Sequence, residues 1–166
     1  MASGDERAGI PDGLTGTGLN IGLVKARWNQ EVVDRLEQGF ERALADLKVR
    51  NKTIMSVPGC FEIPLAAKYL AESAQVDAVV CIGAIIRGET THYELVAGET
   101  GRGVQTVQLE TGIPVLFGVL TVENQEQALA RSEGPGGHNV GEEAAVGAVE
   151  MARLAQKWAP RRDQST

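Results

Sequence analysis

Short apolar runs alternate with longer amphipathic stretches along this chain. Asn20 to Ala26, centred on Ile21, Leu23 and Val24, predicts a strand. Asn29 then stands as the cap of a long helix whose apolar face is Val32, Val33, Leu36, Phe40, Ala43, Leu44 and Leu47, at three- and four-residue spacing. Lys52 to Val57 predicts a second strand, broken by Pro58-Gly59, and a helix follows from about Ile63 to Ser73. Ala78 to Ile86 is almost continuously apolar, as a strand buried on both faces reads. Thr91 and Glu94 have the spacing of a capping box, and Gly98, Gly101 and Gly103 predict an interruption of the helix it opens. Pro114 leads into a fourth strand, Val115 to Leu120. A short helix over Asn124 to Arg131, the loop Gly134-Pro135-Gly136-Gly137 and a last helix over Gly141 to Trp158 complete the pattern.

Strand and helix alternate four times, which predicts an α/β domain with parallel strands and helices on both faces. We divide the chain into a polar, Gly-rich arm at 1–18, a domain at 19–158 and a frayed tail at 159–166. The arm is expected to order only where it docks. In such sheets ligands bind beyond the carboxyl ends of the strands, so the segments after each strand are where chemistry is sought.

Composition narrows the function classes. The net charge of −6 and the lack of a Lys/Arg run outside Arg161-Arg162 argue against a nucleic-acid surface. No apolar stretch reaches membrane-spanning length, and no basic segment followed by an apolar run opens the chain, so neither a membrane anchor nor a signal peptide is expected. Cys60 and Cys81 have no metal-like spacing and read as neutral thiols of a cytoplasmic protein.

The strand ends carry Arg27-Trp28-Asn29, then Pro58-Gly59-Cys60-Phe61-Glu62, then Arg87-Gly88-Glu89-Thr90-Thr91-His92, then Thr121 to Asn124 with Arg131 one helix later. Aromatic faces can stack on a flat ring, a carboxylate can hold ring N–H groups, and an arginine can take a phosphate bidentately. His92 is the proton-transfer candidate, since imidazole titrates near neutral pH. By spacing alone a histidine in the first turn of a helix is more often structural or solvated. Glu89-Thr90-Thr91 offers backbone N–H groups for an anion, or merely caps the helix. Trp28 reads as core or site, Arg131 as a solvated cation or a ligand, Glu62 as a helix-start charge or a ligand, and His138 as a turn or interface residue. Gly83 to Gly88 imitates P-loop glycine spacing, but Glu89-Thr90 occupies the place of Lys-Ser/Thr, which excludes a nucleoside triphosphatase of that type.

Four segments resemble the lumazine synthase family, in the family's order and over about residues 18 to 158. Val57 to Pro64 (V-P-G-C-F-E-I-P) resembles V-P-G-[SA]-[FY]-E-[IL]-P. Gly83 to Tyr93 (G-A-I-I-R-G-E-T-T-H-Y) resembles G-x-[VL]-I-[RK]-G-x-T-x-H-[FY]. Ala26 to Asn29 resembles A-R-[FW]-N, and Pro114 to Arg131 resembles P-V-[IL]-F-G-[VL]-L-T…E-Q-A-[LI]-x-R. Gly147 to Leu154 is similar to the closing helix.

The resemblance implies a flavodoxin-like three-layer α/β/α fold with a four-stranded parallel sheet. It implies condensation of 5-amino-6-(D-ribitylamino)uracil with 3,4-dihydroxy-2-butanone 4-phosphate to 6,7-dimethyl-8-ribityllumazine, with no cofactor and no metal. By the same resemblance Trp28 stacks on the pyrimidine, and Cys60, Phe61 and Glu62 line the ribityl and ring pocket. Ala84, Ile85 and Ile86 offer backbone groups to the ring. Glu89 and Thr90 hold phosphate, and His92 transfers protons. Phe117 and Arg131 come from a neighbouring subunit, Arg131 onto the phosphate. A homopentamer or a multiple of it, up to an icosahedral capsid, is implied, with riboflavin synthase as a candidate partner.

One departure stands out. Many members carry lysine in G-N-K-G before the last helix, where this chain has His138-Asn139-Val140-Gly141. Val140 marks either a vacated ligand position or a packing residue. Two other classes compete: a cage-forming relative without turnover, and a flavodoxin-like flavin-binding module. The latter calls for a Ser/Thr-rich loop after the first strand, which Arg27-Trp28-Asn29 is not.

Overall fold

The computed structural model describes residues 9–160; Arg161, Arg162 and the outer parts of the arm and tail lie outside them. Four strands, β1 (Asn20–Ala26), β2 (Asn51–Val57), β3 (Ala78–Ile86) and β4 (Val115–Val122), alternate with helices α1 (Gln30–Asp46), α2 (Ile63–Glu72), α3 (His92–Thr111), α4 (Gln125–Leu129) and α5 (Val140–Trp158). A 3-10 turn, Cys60–Glu62, precedes α2. The sheet is fully parallel in the order β2-β1-β3-β4.

Period-two alternation sorts the strand side chains between two cores. On one face Ile21, Leu23, Val80, Ile82 and Leu120 pack with Leu36 and Phe40 of α1 and Ala145 and Val149 of α5. On the other, Val24, Val79, Cys81, Val115 and Val119 pack with Ile63, Ala67 and Leu70 of α2 and Val104 and Val107 of α3. The three-layer α/β/α flavodoxin-like architecture expected from the alternation and the motifs is the one observed. Burying β3 on both faces accounts for its continuous apolar run.

Three local expectations are corrected. The helix with three glycines is unbroken from His92 to Thr111. Gly103 is what lets α3 approach α2, since a Cβ there would sit 2.6 Å from Pro64. Thr91 makes no side-chain cap, and the Glu94 carboxylate is taken by Arg87 instead. Asn29 is no conventional cap either: it is left-handed, at φ 58° and ψ 48°, and its side chain bonds elsewhere. Asn124 and Asn139 do cap, accepting from Gln127 N at 2.9 Å and Glu142 N at 3.1 Å.

The inner part of the arm docks. Gly16 N donates to Leu47 O at 2.7 Å, and Arg153 donates to the carbonyls of Thr15 and Thr17, both at 2.9 Å. Among the described residues no helix is long and apolar enough to cross a membrane.

Candidate active site

The carboxyl ends of all four strands, at Ala26, Val57, Ile86 and Val122, share one edge of the sheet. A cavity of about 630 Å³ opens there. Its wall includes Trp28 from the turn after β1, Cys60, Phe61 and Glu62 from the 3-10 turn, Ala84, Ile85 and Ile86 from β3, and Thr90 and His92 at the start of α3. The topology thus gathers these residues from four separate stretches of sequence.

Each position has a local cause. Pro58-Gly59 ends β2, and the Glu62 carboxylate folds back to accept from Gly59 N at 2.9 Å, which holds the turn closed. Trp28 and Phe61 leave the core and present their rings to solvent at 73% and 54% exposure. Two large exposed aromatics at one cavity mouth suit a flat ligand. Asn29 Nδ2 donates to Ala84 O at 2.8 Å and joins the Trp28 turn to β3. A side chain at Gly83 would strike the Cys60 sulfur, so glycine is required for Cys60 to seat.

Cys60 is a wall group rather than a nucleophile. Burial pushes its thiol up to about 12, with a smaller rise from the Glu62 carboxylate, against a hydrogen bond from the Ala84 backbone. Burial raises Cys81 in the same direction.

Three expected residues are not on this wall. Glu89 is not among the residues that line it, although Gly88 and Thr90 on either side are, and Phe117 and Arg131 lie outside it on β4 and after α4. Arg131 Nη1 donates to Gln127 O at 3.1 Å. Among the described residues the wall carries the imidazole of His92 and the carboxylate of Glu62 but no lysine or arginine. Among the described residues no three His, Cys, Asp or Glu group as a metal site.

Asn29, Gly88 and Tyr93, which the strand ends and motifs include but to which no binding role was given, also line the cavity, as do Leu95 and Val96, which the sequence pattern did not single out. Leu95 and Val96 stand three and four residues beyond His92, so once α3 is placed they share its face. Buried Thr100 sets its hydroxyl 2.6 Å from Val96 O and 3.2 Å from Cys60 O, holding α3 to the 3-10 turn. Nothing in its sequence context distinguishes it from other helical threonines.

The family model described as 6,7-dimethyl-8-ribityllumazine synthase matches residues 18–156, from just before β1 to near the end of α5. The chain therefore belongs to that family, one of riboflavin biosynthesis.

Proposed function

We propose that this chain is a transferase that condenses 5-amino-6-(D-ribitylamino)uracil with 3,4-dihydroxy-2-butanone 4-phosphate, giving 6,7-dimethyl-8-ribityllumazine, phosphate and water. The observation that carries this reading is the shared cavity of Trp28, Glu62, the β3 backbone, Thr90 and His92. Trp28 stacks on the pyrimidine, with Cys60, Phe61 and Glu62 along the ring and ribityl chain. Ala84, Ile85 and Ile86 face the ring with backbone groups. The backbone N–H groups of Glu89 and Thr90, before the first turn of α3, receive the phosphate. His92 takes and returns protons during imine formation, phosphate elimination and ring closure. Holding amine and carbonyl together supplies much of the acceleration.

A phosphate needs more positive charge than this wall offers. We assign that charge to Arg131 of a neighbouring copy, with Phe117 beside it, in a cytoplasmic homopentamer whose sites lie between subunits. Leu65 and Tyr69 on α2 and Leu95 and Leu109 on α3 are 56–72% exposed, which supports apolar interfaces on that face. A shell of pentamers, and riboflavin synthase as a partner, are extensions of the same reading.

The test supplies both substrates to the purified protein and follows lumazine absorbance and phosphate together, with native mass for assembly. We expect equal amounts of the two products. Neither product forming from an intact oligomer would show a cage without turnover.

A further inference from the structure

Arg87 directly follows β3, between Ile86 and Gly88, which both line the cavity, yet Arg87 does not. Its backbone N–H donates to Val122 O at 2.9 Å. Its side chain then reaches two other segments. Nε donates to Glu123 Oε2 at 2.6 Å, just past β4. Nη1 donates to Glu94 in the first turn of α3. The guanidinium also lies over the Tyr93 ring, 4.2 Å from its centroid. Tyr93 and Glu94 directly follow His92 in sequence.

The other described bonds at this turn are long: Thr91 gives no side-chain cap, His92 N donates to Thr90 Oγ1 at 3.3 Å and Leu95 N to Thr91 O at 3.4 Å, while Tyr93 and Val96 pack on the core. Exposed ion pairs add little to stability. A planar fork bonded to two carboxylates and stacked on a ring instead fixes an orientation. The hydrogen bond from Arg87 also holds the Glu94 carboxyl below its usual range, so this contact persists in its charged form.

We propose that Arg87 is a positioning residue: it clamps the first turn of α3 to the exit of β4 and so sets Thr90 and His92 against the cavity without touching substrate. This rests on the reaction proposed above. A lysine could serve one carboxylate but not both together with the ring.

The test compares Arg87→Ala, Arg87→Lys, Glu94→Gln and Glu123→Gln with wild type in steady-state kinetics and in amide hydrogen exchange. For Arg87→Ala we expect kcat to fall about tenfold to a hundredfold, as misplacing a reacting group does. KM should rise for the phosphate substrate and stay unchanged for the pyrimidine, whose wall at Trp28 and Glu62 Arg87 does not touch. Exchange should quicken over residues 88–94 and nowhere else. Arg87→Lys should recover part of kcat, and the glutamine variants should each give part of the loss, non-additively with Arg87→Ala. If Arg87→Ala fails to assemble, the two glutamine variants carry the same comparison. Wild-type kcat with unchanged exchange over 88–94 would overturn the proposal, as would equal rises in both KM values with exchange raised throughout. Wild type that forms no lumazine would overturn the assigned reaction alone; the exchange measurement would still decide the clamp.

Discussion

Asn29 holds a left-handed backbone, and its Nδ2 donates to the carbonyl oxygen of Ala84 at 2.8 Å. One side chain thus joins the turn that presents Trp28 to the strand that floors the cavity. A non-glycine residue in this conformation costs about 1–2 kcal/mol, and the hydrogen bond offsets part of that. Asn29→Ala keeps the strain and loses the bond, and should destabilise by about 1–3 kcal/mol. Asn29→Gly loses the bond but relieves the strain, and should fall nearer wild type. Denaturant unfolding of both variants decides it. Equal losses would show that the strain is not what Asn29 manages.

Arg131 and His92 do not meet within one chain, since Arg131 is absent from the cavity that His92 lines. His92→Ala should slow turnover by about a hundredfold, the low end for general acid–base catalysis. Arg131→Ala should raise KM for the phosphate substrate by the loss of a charge-assisted contact, about 1.5–3 kcal/mol. Unfolding the two variants together and refolding them should restore part of the activity, because some interfaces then pair an intact His92 with an intact Arg131. No recovery from well-assembled mixtures would place both residues in the same subunit's site.

The Cys60 thiol gives a pH prediction. Its folded value is raised to about 12 from the usual 9.0 by burial. A raised value means that the neutral thiol's contribution to stability is complete below about 9 and is lost as pH climbs through about 12. Melting temperature should therefore fall across the alkaline range, and Cys60→Ala should flatten part of that fall. Cys81, raised by burial too, accounts for a further part. Parallel alkaline curves for wild type and Cys60→Ala would refute the linkage. At neutral pH the same neutral thiol should alkylate slowly with iodoacetamide.

Strand ends and motifs were enough to place Trp28, Glu62 and His92 together, because a parallel sheet brings every carboxyl edge to one side. Tertiary partners were not legible. Glu94 has capping-box spacing with Thr91, but Arg87 competes for the carboxylate and wins. The glycines of α3 read as a break, yet Gly103 is a packing contact with Pro64, and burial of Val104 and Val107 outweighs the backbone cost. The fourth strand runs to Val122 rather than Leu120 because Thr121 and Val122 pair with Ile85 and Ile86. Such pairings depend on the neighbouring strand, which local periodicity does not contain.

Val140, which stands where many family members have lysine, decides between two readings left open by the sequence. It begins α5 at 6% exposure and packs in the core with α1. Its N–H donates to Arg131 O at 3.0 Å, so the backbone here is fixed to the residue assigned to the phosphate. The next residue, Gly141, lies so close to α1 that a side chain there would collide with the Leu36 carbonyl. A lysine at 140 would have to bury its ammonium or displace the start of α5. Val140→Lys should therefore lower the melting temperature of the assembled protein, at a cost of about 3–5 kcal/mol for an uncompensated buried charge. It should not tighten either KM. Val140→Ile, which keeps the site apolar, should cost less. Tighter binding of the phosphate substrate with an unchanged melting temperature would instead mean that the lysine escapes the core, and that the position faces the ligand once the subunits have assembled.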